Sequence, residues 1–292
     1  MTPDTYFINF SVARLDRACA FYEEILGYRS VLEGAVQCEN HRRLWRMEPH
    51  LHGHFLEMKQ DSDAPALRLI EFDRQGSSIW GRYLHLGDMG MFCLDLTATS
   101  VDLSQRINAN GGRPRTHKLQ TGYEGFQFFD PDGVLCIIHG DGGSKDQVQT
   151  VSLHIRDPER SRSFYEGLGF HVISDESSPD YGAFLGLPAG VAVRSIVMRQ
   201  SGSEAAGLRL LHYPGIHGRS LRGRAIPPNR GLLSLGFPTQ SIENSCMQTD
   251  TLIKRYGGCH VAGPLAIEGR DSARQSATFL GPDGEMLEFC QV

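Results

Sequence analysis

The sequence predicts an α+β protein built from four copies of one strand–helix–three-strand module. Three observations predict it: an internal duplication, apolar periodicity that switches from strand to helix at matching places, and turn signals that close each half. Ile8–Tyr22, INFSVARLDRACAFY, aligns with Val151–Tyr165, VSLHIRDPERSRSFY, without a gap. Leu67–Phe72 aligns with Leu208–Tyr213, Gly90–Leu96 with Gly231–Phe237, and Gly111-Gly112 with Gly257-Gly258. Asp130–Gly133, DPDG, aligns with Gly281–Gly284, GPDG. Ordered matches in one frame mean two homologous halves.

Each module opens on an alternating apolar stretch, such as Phe7–Val12, which reads as a strand. In Leu15–Leu26 the apolar residues Leu15, Ala18, Phe21, Tyr22, Ile25 and Leu26 recur at helical spacing. Asp157-Pro158 suits an N-cap followed by an N1 proline, and Gly27 and Gly169 suit the helix ends. Three apolar stretches follow the helix, near Tyr28–Glu33, Phe55–Lys59 and Leu67–Phe72 in the first module. The last two of the second module lie near Gly125–Phe129 and Val134–His139, joined by a DPDG hairpin. The turn-rich stretch Gly140–Asp146 divides the chain into an N-terminal domain, 1–142, and a C-terminal domain, 147–292.

Composition narrows the function classes. The 292 residues carry 29 Lys+Arg against 34 Asp+Glu, a formal charge of −5, which does not suit general nucleic-acid binding. No apolar run is long enough to span a bilayer, and no signal peptide is expected at MTPDTYFINF. The 7 cysteines are scattered and odd in number, with no CxxC pair, so reduced thiols in a cytoplasmic protein are expected.

A strand, then FYxxxLG followed by an aromatic, then a closing DPDG hairpin resembles the vicinal oxygen chelate superfamily, the glyoxalase, bleomycin-resistance and extradiol-dioxygenase group. The resemblance covers nearly the whole chain. It implies two tandem glyoxalase-like domains with open, cup-shaped sheets, each cup made of two modules with the site on its concave face. It also implies, by analogy, an edge-to-edge homodimer.

Metal-dependent members of that group use a His near the start of a module's first strand and a Glu on its last strand. Here the first-strand positions fall on Phe7, Met91, Thr150 and Leu232, and the last-strand positions on Arg68, Ile137, Arg209 and Glu288. Only Glu288 keeps the group's residue. Phe, Met, Leu, Ile and Arg do not supply ligands to a hard divalent ion, so no metal and no other cofactor is expected.

Alternation along the strands then predicts the cup contents. The first half would present Phe7, Asn9, Ser11, Arg68, Ile70, Met91, Cys93, Asp95, Ile137 and His139. The second would present Thr150, Ser152, His154, Arg209, Leu211, Leu232, Ser234, Gly236, Glu288 and Cys290. Apolar walls with a few placed polar groups suit a small organic ligand. In the functional reading Glu288, His154 and Arg209 are catalytic: His154 as acid or base, Glu288 as its orienting group or the proton acceptor, Arg209 as the holder of an anion. Arg68, Asp95, His139, His54 and Arg194 are substrate-binding candidates. In the structural reading each arginine and acid form an ion pair that merely holds a cup together.

Other features weigh less. His50, His52 and His54, in HLHGH, read as a solvated run, and Arg219–Arg230 as a linker that could instead grip a phosphate. Glu71 and His212 should face outward, while Tyr123 and His217 lie near pocket mouths. The leading expectation is a metal-independent isomerase, cyclase or lyase using acid–base chemistry. The alternatives are a non-enzymatic binding or resistance protein, with Phe7, Phe92, Trp45 and Trp80 as walls, and a metal-dependent extradiol dioxygenase or glyoxalase.

Overall fold

The computed structural model describes residues 6–60, 64–80, 85–98, 103–115, 125–139, 146–200, 207–216, 218–268 and 273–292. The first module is β1 (Phe7–Val12), α1 (Leu15–Leu26), β2 (Arg29–Val36), α2 (Glu39–Trp45), β3 (Gly53–Lys59) and β4 (Ala66–Phe72). The second is β5 (Gly90–Thr97), α3 (Leu103–Ala109), β6 (Arg113–Pro114), β7 (Gly125–Phe129) and β8 (Leu135–His139). The third is β9 (Gln147–His154), α4 (Pro158–Gly167), β10 (Phe170–Ser178), α5 (Pro179–Leu185), β11 (Val193–Gln200) and β12 (Gly207–His212). A 3-10 turn, Leu221–Gly223, precedes the fourth: β13 (Gly231–Thr239), α6 (Ile242–Tyr256), β14 (Cys259–Glu268), β15 (Ala273–Leu280) and β16 (Met286–Gln291). Tyr123, His217 and most of the turn-rich 140–146 stretch lie outside the described residues.

Local signals place the helices as expected. α1 ends on Gly27 at φ 69°, a left-handed conformation that glycine adopts without strain. The Asp157 side chain accepts the Arg160 backbone N–H and Pro158 opens α4. Two short helices were not foreseen. α2 and α5 each follow the second strand of a module, a place where the sequence reading assigns no element.

The four modules make two open eight-stranded sheets, but their partnership crosses the halves. One sheet has the order β14-β15-β16-β13-β1-β4-β3-β2, and the other β10-β11-β12-β9-β5-β8-β7-β6. Modules one and four therefore share a cup, as do modules two and three. This corrects the expectation that each half would build its own cup. The seams are antiparallel: β1 on β13, pairing Asn9 with Ser234, and β5 on β9, pairing Asp95 with Thr150. The two sheets are tied within each half, where Ala13 N–H of module one donates to Asp132 of module two at 2.7 Å and Arg156 N–H of module three to Asp283 of module four at 2.9 Å.

Two apolar clusters divide the sheet faces. One holds the helical side, with Phe10, Phe21, Tyr22, Phe164, Tyr165 and Phe237. The other fills the concave sides, where Trp45 and Leu44 of α2 and Tyr181, Phe184 and Leu185 of α5 are buried. No helix among the described residues is long and apolar enough to cross a membrane.

Candidate functional site

Module pairing decides which charged groups meet. The cup of modules two and three gathers Asp95, His139 and Arg209. Asp95 is fully buried and both its oxygens are engaged: Oδ1 faces His139 Nε2 at 2.9 Å. Its Oδ2 accepts from Thr150 Oγ1 and Ser152 Oγ, each at 2.6 Å, and from Arg209 Nε at 3.1 Å. Arg209 also donates to Ser195 Oγ at 3.1 Å. Burial raises the Asp95 pKa, but the Arg209 charge and the His139 contact outweigh it and hold the carboxyl well below its usual range.

The cup of modules one and four gathers Glu288, Asn9 and Arg68. Glu288 Oε2 accepts from Asn9 Nδ2 at 2.9 Å and Trp45 Nε1 at 3.1 Å. Its Oε1 accepts only the weak Cys290 thiol at 3.3 Å among the described contacts. Burial, then Glu288, keeps that thiol's pKa far above its ordinary value, so it stays protonated. Arg68 donates to Glu57 at 3.0 Å and lies over the Phe7 ring at 4.1 Å. Burial disfavours its charge, but Glu288 and then Glu57 outweigh it and raise the guanidinium pKa. Two buried atoms in this cup have no hydrogen-bond partner, Asn9 Oδ1 and Arg68 Nε.

The expected catalytic trio is thus not one site. Glu288 lies in one cup, and Arg209 and His154 lie in the other. The two arginines have in effect exchanged acids, because Arg68 sits with Glu288 and Arg209 with Asp95. His154 is also not joined to the Asp95 network by any described contact. It faces the Asp88 carbonyl at 3.0 Å, stacks on Tyr213 at 4.1 Å, and burial lowers its pKa to about 4. His139 is where the first-half reading put it, beside Asp95.

His54 and Arg194 are corrected as well. On β3 and β11 the cup-facing residues are Glu57 and Ser195, which touch the two arginines. By period-two alternation His54 and Arg194 belong to the opposite face. His54 is exposed in a cleft against Leu15, and Arg194 bonds Asp175 and Glu159. Glu57 and Ser195 went unassigned because parity was not fixed on these strands. Met58, buried among the helix-side residues, is the signal that would have set it.

Met91 and Leu232 are also not in the cups. Register shifts beside Met91 on β5 and opposite Phe10 on β13 insert one extra residue in each strand. Phe92 and Leu233 take the concave face, while Met91 and Leu232 join the helix-side cluster. The outward Glu71 was read correctly: its Oε2 accepts the Leu15 N–H at 2.7 Å at the start of α1. His50 and His52 are exposed, as expected of a solvated run. In the Arg219–Arg230 stretch Arg219 pairs with Asp88 at 2.6 Å and Arg224 bonds the Ser78 and Ile79 carbonyls.

The residues do not fit a divalent metal. Each cup holds a guanidinium beside its acid, which repels a cation; the other groups on the acid are Asn9, Trp45 and Cys290 in one cup and His139, Thr150 and Ser152 in the other, so neither cup gathers a ligand set for a divalent ion. Among the described residues no three His, Cys, Asp or Glu side chains converge as metal ligands.

Solved structures share this architecture. Glyoxalase I from Zea mays superposes with a TM-score of 0.64 at 17% identity, covering 99% of this chain and 92% of that one. A variant of the same enzyme gives 0.68 at 17% identity, with 99% and 94% covered. A candidate dioxygenase from Bacillus subtilis gives 0.60 at 13% identity, with 99% and 85% covered. No protein-family model and no curated protein matches the sequence. Two open sheets of paired βαβββ modules, with 99% of the chain covered by these structures, give this chain the fold of glyoxalase I.

Proposed function

We propose that the chain is a metal-independent acid–base enzyme acting on a small organic anion, of the isomerase, cyclase or lyase type. Its site is the cup of modules one and four. The observation that carries this reading is the unequal satisfaction of the two buried acids. Asp95 has four polar partners, with both oxygens engaged, which suits a structural ion pair. Glu288 has an oxygen that, among the described contacts, is held only by a thiol, and the same cup contains Arg68 Nε and Asn9 Oδ1, two buried atoms with no partner. Buried polar atoms left unpaired cost stability, so their presence together points to a ligand that completes them.

In this mechanism Arg68 holds a carboxylate, phenolate or enolate oxygen through its planar donors. Glu288 takes a proton from the carbon beside a carbonyl, and Arg68 offsets the negative charge that develops on oxygen. Asn9 and Trp45 orient the carboxylate by fixing Oε2, which leaves Oε1 to meet the proton. Trp45 lies on α2, so that helix is fastened to Glu288. Phe7 and Phe55 supply apolar walls around Arg68.

The test is proton exchange. A panel of small 2-oxo acids, phenols and diketones is incubated with tag-free protein in deuterated water containing a strong chelator. Glu288-dependent deuterium incorporation, lost in Glu288→Gln and Arg68→Met, supports the proposal. A second reading, a binding protein, draws on the burial of Glu288 under Trp45. Saturable binding with ligand recovered unexchanged from wild type favours that reading and removes the catalytic one.

A further inference from the structure

A cleft of about 550 Å³ lies outside both cups, walled by α1, the DPDG hairpin and the segment leading into β13. Arg17, Arg113 and Arg230 line it, with Trp80, Phe129 and Asp132. We infer that this cleft binds a phosphate monoester, with the phosphate among the three guanidinium groups and the organic part against Phe129.

The first argument is charge. Three guanidinium groups face one carboxylate, on a chain whose formal charge is −5. Arg68, Arg209 and Arg219 are all held in ion pairs. Among the described residues Arg17, Arg113 and Arg230 are in none. Arg230 Nε is buried with no hydrogen-bond partner. Arg113 lies 5.7 Å from the Phe129 ring centre, and both line the cleft. Arg17 makes only a 3.5 Å contact with the Gly111 carbonyl from its side chain. Guanidinium forks match phosphate oxygens, and the volume admits more than the phosphate alone.

The second argument is the duplication, which supplies an internal control. By the alignment of the halves, Arg17 corresponds to Arg160, Arg113 to Cys259, Arg230 to Met89 and Phe129 to Leu280. In the second half Arg160 is spent on Asp283 at 3.0 Å and on the Pro282 carbonyl. Cys259 accepts from Arg222 at 3.1 Å, which fills the same corner. The fold therefore stands without an arginine at two of the three corresponding positions, and at the third the arginine is paired with an acid. Their convergence in the first half answers to something other than packing.

The test is calorimetric titration of the full chain with phenyl phosphate and, separately, inorganic phosphate. The expected result is saturable binding of phenyl phosphate, tighter than inorganic phosphate and weakened by added salt. Arg113→Gln and Arg230→Gln should each weaken it about tenfold, the usual value of one charge-assisted hydrogen bond. Arg17 and Arg113 are exposed, so Arg17→Gln and Arg113→Gln test the cleft even if Arg230→Gln unfolds. Absence of saturable binding, or equal affinity in wild type and the two exposed variants, overturns the inference. So does inorganic phosphate binding as tightly as phenyl phosphate. None of these outcomes touches the Glu288 site, whose residues are separate.

Discussion

Arg209 on β12 donates from Nε to Oδ2 of Asp95 on β5 across 3.1 Å, so a cation of the second half neutralises a fully buried acid of the first. Removing one partner leaves the other buried and unpaired. Asp95→Asn should lower stability by about 3–5 kcal/mol, and Asp95→Asn with Arg209→Met should cost less than the two single changes summed. Urea unfolding of the three variants checks this. An additive result would show that the two side chains do not interact.

Two acids pinned behind the sheets should make stability fall as pH rises. Tyr22 donates to Asp130 at 2.8 Å and Tyr165 to Glu285 at 2.6 Å. Burial, then the neighbouring Asp132 and Asp283, raises these pKa values to about 7 and about 8. A raised folded pKa means that the protonated form is favoured in the fold. The stability it brings is complete below the unfolded values of ~3.9 and ~4.3 and fades as pH climbs through the raised ones. Asp130→Asn with Glu285→Gln should flatten the decline in melting temperature between about pH 4 and 8. An unchanged slope in the double variant would refute this.

Gly236 and Phe7 form a matched pair on the seam. A Cβ on Gly236 would lie 2.0 Å from the Phe7 ring, while the corresponding positions of the other cup hold Asp95 and Thr150. Gly236→Ala should destabilise by about 1–3 kcal/mol through overpacking. Adding Phe7→Thr should recover much of that loss. Thermal melts of the single and double variants measure it, and a neutral Gly236→Ala would contradict the tight contact.

Trp45 fastens α2 over the cup by donating to Glu288 at 3.1 Å. Trp45→Phe keeps the ring but removes the donor, at a cost of about 1.5–3 kcal/mol for a bond to a charged acceptor. Amide exchange in Glu39–Trp45 should quicken more than in α5. Equal protection in both helices would show that the bond does not hold α2.

Much of the fold was legible in the sequence. Phe7–Val12 and Leu15–Leu26 are the strand and helix their periodicities predict, because alternation and the 3.6-residue repeat are local properties. The repeated motifs gave the four modules, and Glu71 was rightly turned away from the cup. Arg68, Asp95, His139, Arg209 and Glu288 were all singled out as polar groups of the concave faces, and all five reach them. α2 and α5 were missed because seven-residue helices carry too little periodicity to stand out from a loop.

The sequence by itself determined the repeated unit, its main strand and helix pattern, and five of the polar residues that the cups hold. Only the tertiary structure decided which of them meet. Strand pairing is a long-range choice made by whole sheet edges, so nothing near Arg209 in the chain specifies Asp95 rather than Glu288 as its partner. The one-residue bulges at Phe92 and Leu233 act in the same way, reversing the faces of Met91 and Leu232 through backbone register that composition does not encode.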